Sequence, residues 1–151
     1  MIVVQDVTMG MLTDALDGAA IDWHSKEDGS VYAQGGQPGC WVDIVADGKL
    51  LQFLTFWPLH DGTEELAALR FANRCNDKYT MIQFDVSLER GRVYGQWHLQ
   101  MSDGLNLRQF LRTLRQFCNG FAEAARDLDH DNVLTKSPVG DKDDNNAKGD
   151  T

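Results

Sequence analysis

The sequence predicts an α+β domain, an antiparallel sheet of about five strands with helices on one face, in the order α-βββ-α-ββ-α. Three observations carry this. Apolar residues recur at helical steps in three separate stretches, and two neighbouring stretches alternate strictly between apolar and polar residues. Clusters of Gly, Asp and Pro separate the runs.

The first helix rests on Met11, Leu12, Ala15, Leu16 and Ala19, which place it from Thr8 to Leu16 or Gly18, with Gly18 as its stop. Three candidate strands follow: Ile21 to His24, the weakest of the set, then Ser30 to Gln34 and Cys40 to Ala46. Lys26-Glu27-Asp28-Gly29 and Gly35-Gly36-Gln37-Pro38-Gly39 supply the turns between them. Asp47-Gly48 joins the third to Lys49 to Trp57, because both turn positions tolerate positive φ. That last run is apolar on both parities, with Leu51, Phe53 and Trp57 on one side and Leu50, Leu54 and Phe56 on the other. Such a strand is either buried on both faces or offers its outer side to an apolar peptide or another subunit, and the second reading is preferred.

Pro58 ends the strand, and Asp61-Gly62-Thr63 opens the second helix, with Asp61 or Thr63 as its cap. Leu66, Ala68, Leu69, Phe71, Ala72 and Cys75 cover well over half of that helix's circumference. One sheet needs a stripe only slightly wider than about 100°. The surplus points either to a second contact surface, most simply a two-fold partner, or to Ala68 and Ala72 serving merely as good helix formers. Thr80 to Leu88 and Val93 to Met101 alternate with period two around Arg90-Gly91, so one face of this hairpin is buried and the other is wet. Asn106 with Gln109 reads as a capping box for the closing helix. Its apolar arc holds Leu107, Phe110, Leu111, Leu114, Phe117, Cys118, Phe121, Ala125 and Leu128. Residues 1–134 are expected to form a single domain, and 135–151, with three Lys and four Asp and little apolar bulk, a disordered polar tail.

Charge narrows the function classes. The chain carries −9, and removing the −1 of residues 135–151 leaves −8 on the domain, so nucleic acid and anionic membrane are poor partners. The start of the chain lacks the basic residues of a signal peptide, and the apolar run Leu50 to Leu59 is half the length of a membrane span. Three widely spaced cysteines, Cys40, Cys75 and Cys118, fit buried thiols in a reducing cytoplasm.

No motif for nucleotide binding, nucleophilic catalysis or metal ligation occurs, and neither a cofactor nor a metal is expected. His98 and Asp85, on neighbouring strands, come nearest to an acid–base pair, and a solvated polar pair explains them as well. Arg108, Arg112 and Arg115 form a row beside the apolar arc of the closing helix in an otherwise acidic domain. Cations near a helix N-terminus are mildly unfavourable, so internal carboxylates or an acidic segment of a partner would account for them, and a plain solvated face explains them as well.

The layout from Asp47-Gly48 through Phe71-Ala72-Asn73-Arg74-Cys75-Asn76, the alternating hairpin and Asp103-Gly104-Leu105-Asn106 resembles the YbjN-like family of bacterial sensory transduction regulators over about residues 8–130. Asn73 and Asn76 ahead of a strand, and the glycine before the last helix, carry the resemblance. It implies a fold similar to type III secretion chaperones, small acidic proteins that dimerise and bind extended client segments, and it brings no catalytic residue. The expectation is a non-enzymatic cytoplasmic protein-binding module, regulatory or chaperone-like, acting as a homodimer on a protein partner or client. Its candidate contacts are Phe53, Trp57, Leu66, Leu69, Phe71, Arg108, Arg112 and Arg115. The alternative is a small-ligand sensor using the polar sheet face around Tyr94, Gln96 and His98.

Overall fold

The computed structural model describes residues 3–138. The chain runs β1 (Val3–Val4), α1 (Met9–Gly18), β2 (Trp23–Ser25), β3 (Val31–Ala33), β4 (Cys40–Val45), β5 (Leu50–Pro58), α2 (Glu65–Lys78), β6 (Gln83–Ser87), β7 (Arg92–Gln100), β8 (Leu105–Asn106) and α3 (Leu107–Asp127). The main sheet has six antiparallel strands in the order β2-β3-β4-β5-β7-β6, and β1 pairs with β8 beside it. Six strands replace the expected five, and four of them separate the first two helices. The weakest candidate strand forms, shifted to Trp23–Ser25, because its backbone pairs fully with β3.

Local chemistry fixes most boundaries. Thr8 caps α1 by accepting from the Met11 amide, and Leu12 and Leu16 point into the core. The β4–β5 connection is wider than an Asp-Gly pair alone. Ala46, Asp47 and Gly48 all take positive φ, and the last strand pair is Val45 with Leu50. The expected cap of α2 is also corrected. Glu64 is the N-cap and makes no side-chain capping bond, while the Thr63 hydroxyl donates backward to the His60 carbonyl at 2.6 Å. Asn106 caps α3 as expected, accepting from the Arg108 amide at 2.9 Å and the Gln109 amide at 3.4 Å.

All three helices contribute to a core on one face of the sheet. From α3 come Phe110, Leu114, Phe117 and Phe121; Phe110 and Phe117 meet Phe53 of β5, and Phe121 stacks on Phe84 of β6. Each buried phenylalanine contributes roughly 1.5–3 kcal/mol. Gly95 of β7 is what lets α3 approach, since a Cβ there would lie 2.5 Å from the Phe121 ring.

Beyond α3 the chain turns back. Asp129 accepts from the Val133 and Leu134 amides, and Leu134 bridges to Leu59. The Thr135 amide donates to the Pro58 carbonyl at 3.0 Å, and the Trp57 indole donates to the Thr135 carbonyl at 2.8 Å. Thr135, expected to open the tail, is buried and tied to β5. The rest of the expected tail, 139–151, lies outside the described residues.

Candidate functional site

Three surfaces hold the residues singled out from the sequence. The first is the outer side of α2. Ala68, Phe71, Ala72 and Cys75 face the core, so the 100° step between residues sends Leu66 and Leu69 outward, where they are 57% and 43% exposed. Strand β6 belongs to the same unit. The Asn76 side chain accepts from the Phe84 amide at 2.8 Å and donates to the Phe84 carbonyl at 3.0 Å, tying the helix to this edge strand. Met81 and Leu88, flanking β6, are exposed as well. Four of the five large apolar side chains exposed among the described residues therefore lie on the α2–β6 unit.

The second surface is the outer side of α3. Its buried residues, from Phe110 to Ala125, occupy the opposite arc. Arg108, Arg112 and Arg115 consequently line a shallow open groove with Leu111, Gln116, Asn119 and Glu123. Ion pairs join Arg74 to Asp131, Lys78 to Glu123 and Arg126 to Asp127, and none of these involves the row. Carboxylates among the described residues therefore do not account for it.

The third surface is the sheet face that no helix covers. His24, Tyr32, Trp41, Phe56 and Tyr94 form a chain of ring contacts across it, with centroids 4.7–5.9 Å apart. The Arg92 guanidinium lies 4.0 Å from the centre of the Phe56 ring, and the Arg90 guanidinium donates to the Tyr94 hydroxyl at 3.4 Å. Partial burial pushes the Tyr94 phenol up, but the hydrogen bonds and charges of Arg90 and Arg92 outweigh it and leave the group below its ordinary range.

The sequence candidates fare unevenly. Phe53 is 0% exposed and Phe71 is 2% exposed, so neither offers surface to a partner in this fold, and both expected contacts are corrected. Phe53 shares a face with the core residues of the neighbouring strands, a sorting that the sheet register reveals, and Phe71 lies on the core side of α2. Trp57 is half-buried, with its indole used by Thr135. Leu66 and Leu69 stand together, and the three arginines stand together on a different helix. His98 and Asp85 are not brought together. Asp85 sits opposite Tyr94, four residues from His98 along β7, which is about 13 Å. The His98 ring bonds with Gln52, and the Gln96 amide donates to Asp85. Tyr94, Gln96 and His98, the polar groups suggested for a sensor, are thus each bonded to a neighbouring side chain.

Two groups of residues escaped the sequence reading. The ring chain draws one residue from each of five strands, so it exists only once register is known. The hydrogen-bonding roles of Arg74 and Asn76 were foreshadowed only by a family pattern without a mechanism. Arg74 donates to the Leu128 carbonyl at 2.6 Å and pairs with Asp131, fixing the turn after α3.

Cys40, Cys75 and Cys118 are free and buried. Burial raises the Cys40 thiol well above its ordinary range, with the neighbouring Cys118 adding to the effect, and pushes Cys75 up to about 12. Burial thus disfavours the thiolate at both positions. Among the described residues no group of three or more His, Cys, Asp or Glu is arranged to hold a metal ion, and no helix is long and apolar enough to cross a membrane.

Residues 8–129 match the YbjN family model, described as "Putative bacterial sensory transduction regulator". The crystal structure of YbjN from E. coli superposes with a TM-score of 0.72 at 12% identity, covering 88% of this chain and 98% of that one. A chain of the HopA1–SchA chaperone–effector complex superposes with a TM-score of 0.53 at 11% identity, covering 82% and 98%. At these identities the likeness is one of fold, that of a type III secretion chaperone. No curated protein matches the chain in sequence.

Proposed function

The chain belongs to the YbjN family, and from that premise we propose that it is a non-enzymatic, cytoplasmic protein-binding regulator that acts as a homodimer. The carrying observation is the concentration of exposed apolar side chains on one unit, with Leu66 and Leu69 on α2 and Met81 and Leu88 beside β6. Isolated surface leucines are ordinary, but a cluster on one helix and its neighbouring edge strand marks a contact surface. The regulatory part of the reading is supported by the family description. The chaperone-like fold supports protein binding as the mode of action. The second copy docks through α2, and the client or regulatory partner engages what the dimer leaves open.

Light scattering across 1–100 μM tests the dimer. The native chain is expected at twice the monomer mass, and Leu66→Glu with Leu69→Glu at the monomer mass with an unchanged far-UV spectrum. A native chain that stays monomeric throughout rejects the homodimer. A double variant that still dimerises moves the interface away from α2.

A further inference from the structure

The arginine row of α3 is left without a role by the dimer, and its surroundings make it anomalous. Three guanidinium groups stand side by side on a chain of net charge −9, with no carboxylate partner among the described residues. They sit in the half of α3 nearer its positive dipole end, and the first turn contains no acidic residue to offset them. Each is exposed, so none is held there by packing. From this we infer that the groove over Arg108, Arg112 and Arg115 binds a short acidic segment of a partner protein, in extended conformation, through carboxylates at alternating positions.

Spacing and charge both select this occupant. Along a helix rising 1.5 Å per residue, Arg108 and Arg112 are about 6 Å apart and the whole row spans about 10 Å. An extended peptide places every second side chain on one side at intervals of about 6.7 Å. Three carboxylates in an acidic-x-acidic-x-acidic pattern span about 13 Å, a few ångströms more than the row, a difference the long arginine side chains can take up so that each guanidinium meets one carboxylate. Half-buried Leu111, which lines the same groove, offers apolar contact to an intervening residue. A long polyanion is disfavoured because the acidic remainder of the domain repels it along its length. A segment of five or six residues feels mainly the charges within about 8 Å at physiological salt. The inference rests on the protein-binding reading and adds the chemistry of what is bound.

The test uses the full chain and a fluorescein-labelled peptide Gly-Glu-Leu-Glu-Leu-Glu-Gly, with its Gln counterpart as control, read by anisotropy. Saturable binding is expected, falling at least 5-fold between 50 and 300 mM NaCl and absent for the Gln peptide. Arg112→Glu should weaken binding about 10-fold with the melting temperature unchanged. The triple variant Arg108→Gln, Arg112→Gln, Arg115→Gln should abolish it. Failure of the native chain to bind, or equal binding by the triple variant, overturns the inference. So does tighter binding of a twelve-residue thymidine oligonucleotide at the same row. Gain of peptide affinity on Asp141→Asn, Asp143→Asn and Asp144→Asn would assign the row to the chain's own acidic residues and overturn the partner assignment. Loss of the inference by any of these routes leaves the α2 dimer and its light-scattering test untouched.

Discussion

Replacing Asn76 by Ala separates two opposing effects of similar size. Asn76 lies in the last turn of α2, and its amide makes two hydrogen bonds to the main chain of Phe84, at 2.8 and 3.0 Å. Each such bond contributes about 1 kcal/mol net, so their joint loss costs about 2 kcal/mol. Alanine is the better helix former by about 0.6 kcal/mol, which acts the other way. The balance is a destabilisation of about 1.5 kcal/mol. Asn73, one turn earlier and exposed, makes no side-chain hydrogen bond among the described residues, so Asn73→Ala keeps only the propensity gain and should stabilise slightly. Urea denaturation of the two variants, with equal m-values, reads the signs directly. The Phe84 amide should also lose hydrogen-exchange protection in Asn76→Ala, because the edge of β6 is uncovered there. If Asn76→Ala proves as stable as Asn73→Ala, the tie between α2 and β6 contributes nothing and the reasoning fails.

Three further outcomes are expected. Gly95→Ala drives a methyl into the Phe121 ring, which is held by Phe84 and Phe117, and should cost about 1–3 kcal/mol by denaturant melt; a neutral result would mean that α3 can slide freely. Trp57→Phe removes the bond to the Thr135 carbonyl, so amides at 133–135 should exchange faster while those of α3 keep their protection. Because burial raises Cys40, Cys75 and Tyr32 in the folded state, their contribution is complete below the unfolded thiol value of about 8.5 and is lost as pH rises toward the folded values, about 12 for Cys75. The melting temperature should therefore fall steadily above pH 9, and a flat profile to pH 11 would contradict that burial.

Legibility in the sequence followed how local each signal was. The three helices and the β6–β7 hairpin were readable because side-chain periodicity is a property of neighbours along the chain. The cap at Asn106 was readable for the same reason. The sequence points to Asp61 or Thr63 as the cap of α2, since both are good caps by type, yet Thr63 spends its hydroxyl on His60. The short β1–β8 pair joins residues about 100 positions apart, and two-residue strands leave no periodicity to find. Phe53 and Phe71 were offered as contacts because a large apolar side chain reads alike whether it faces a core or a partner. Leu66 and Leu69 share that ambiguity in sequence, and only the docking of α2 resolves it. The arginine row was legible as a charge anomaly, and the structure adds the absence of internal partners among the described residues.

The uncovered sheet face decides where a partner has reason to bind. The second parity of β5, with Leu54 and Phe56, argued in sequence for an apolar occupant on the outside of this strand. In the folded chain Phe56 has Trp41 stacked on it at 5.4 Å with Arg92 over its ring, and it meets Tyr94 edge-on. Leu54 lies directly opposite Trp41 and Gln96 on the neighbouring strands. Aromatic pairs of this kind contribute about 0.5–1.5 kcal/mol each, and an exposed cation over a ring about 0.5–1 kcal/mol. The rings cover one another, and the guanidinium of Arg92 caps the row with a charge that favours water. This face is thereby reconciled with solvent inside a single subunit, whereas Leu66, Leu69, Met81 and Leu88 have no comparable cover. Under the proposed dimer, the driving force for association would therefore lie on α2 and the β6 edge.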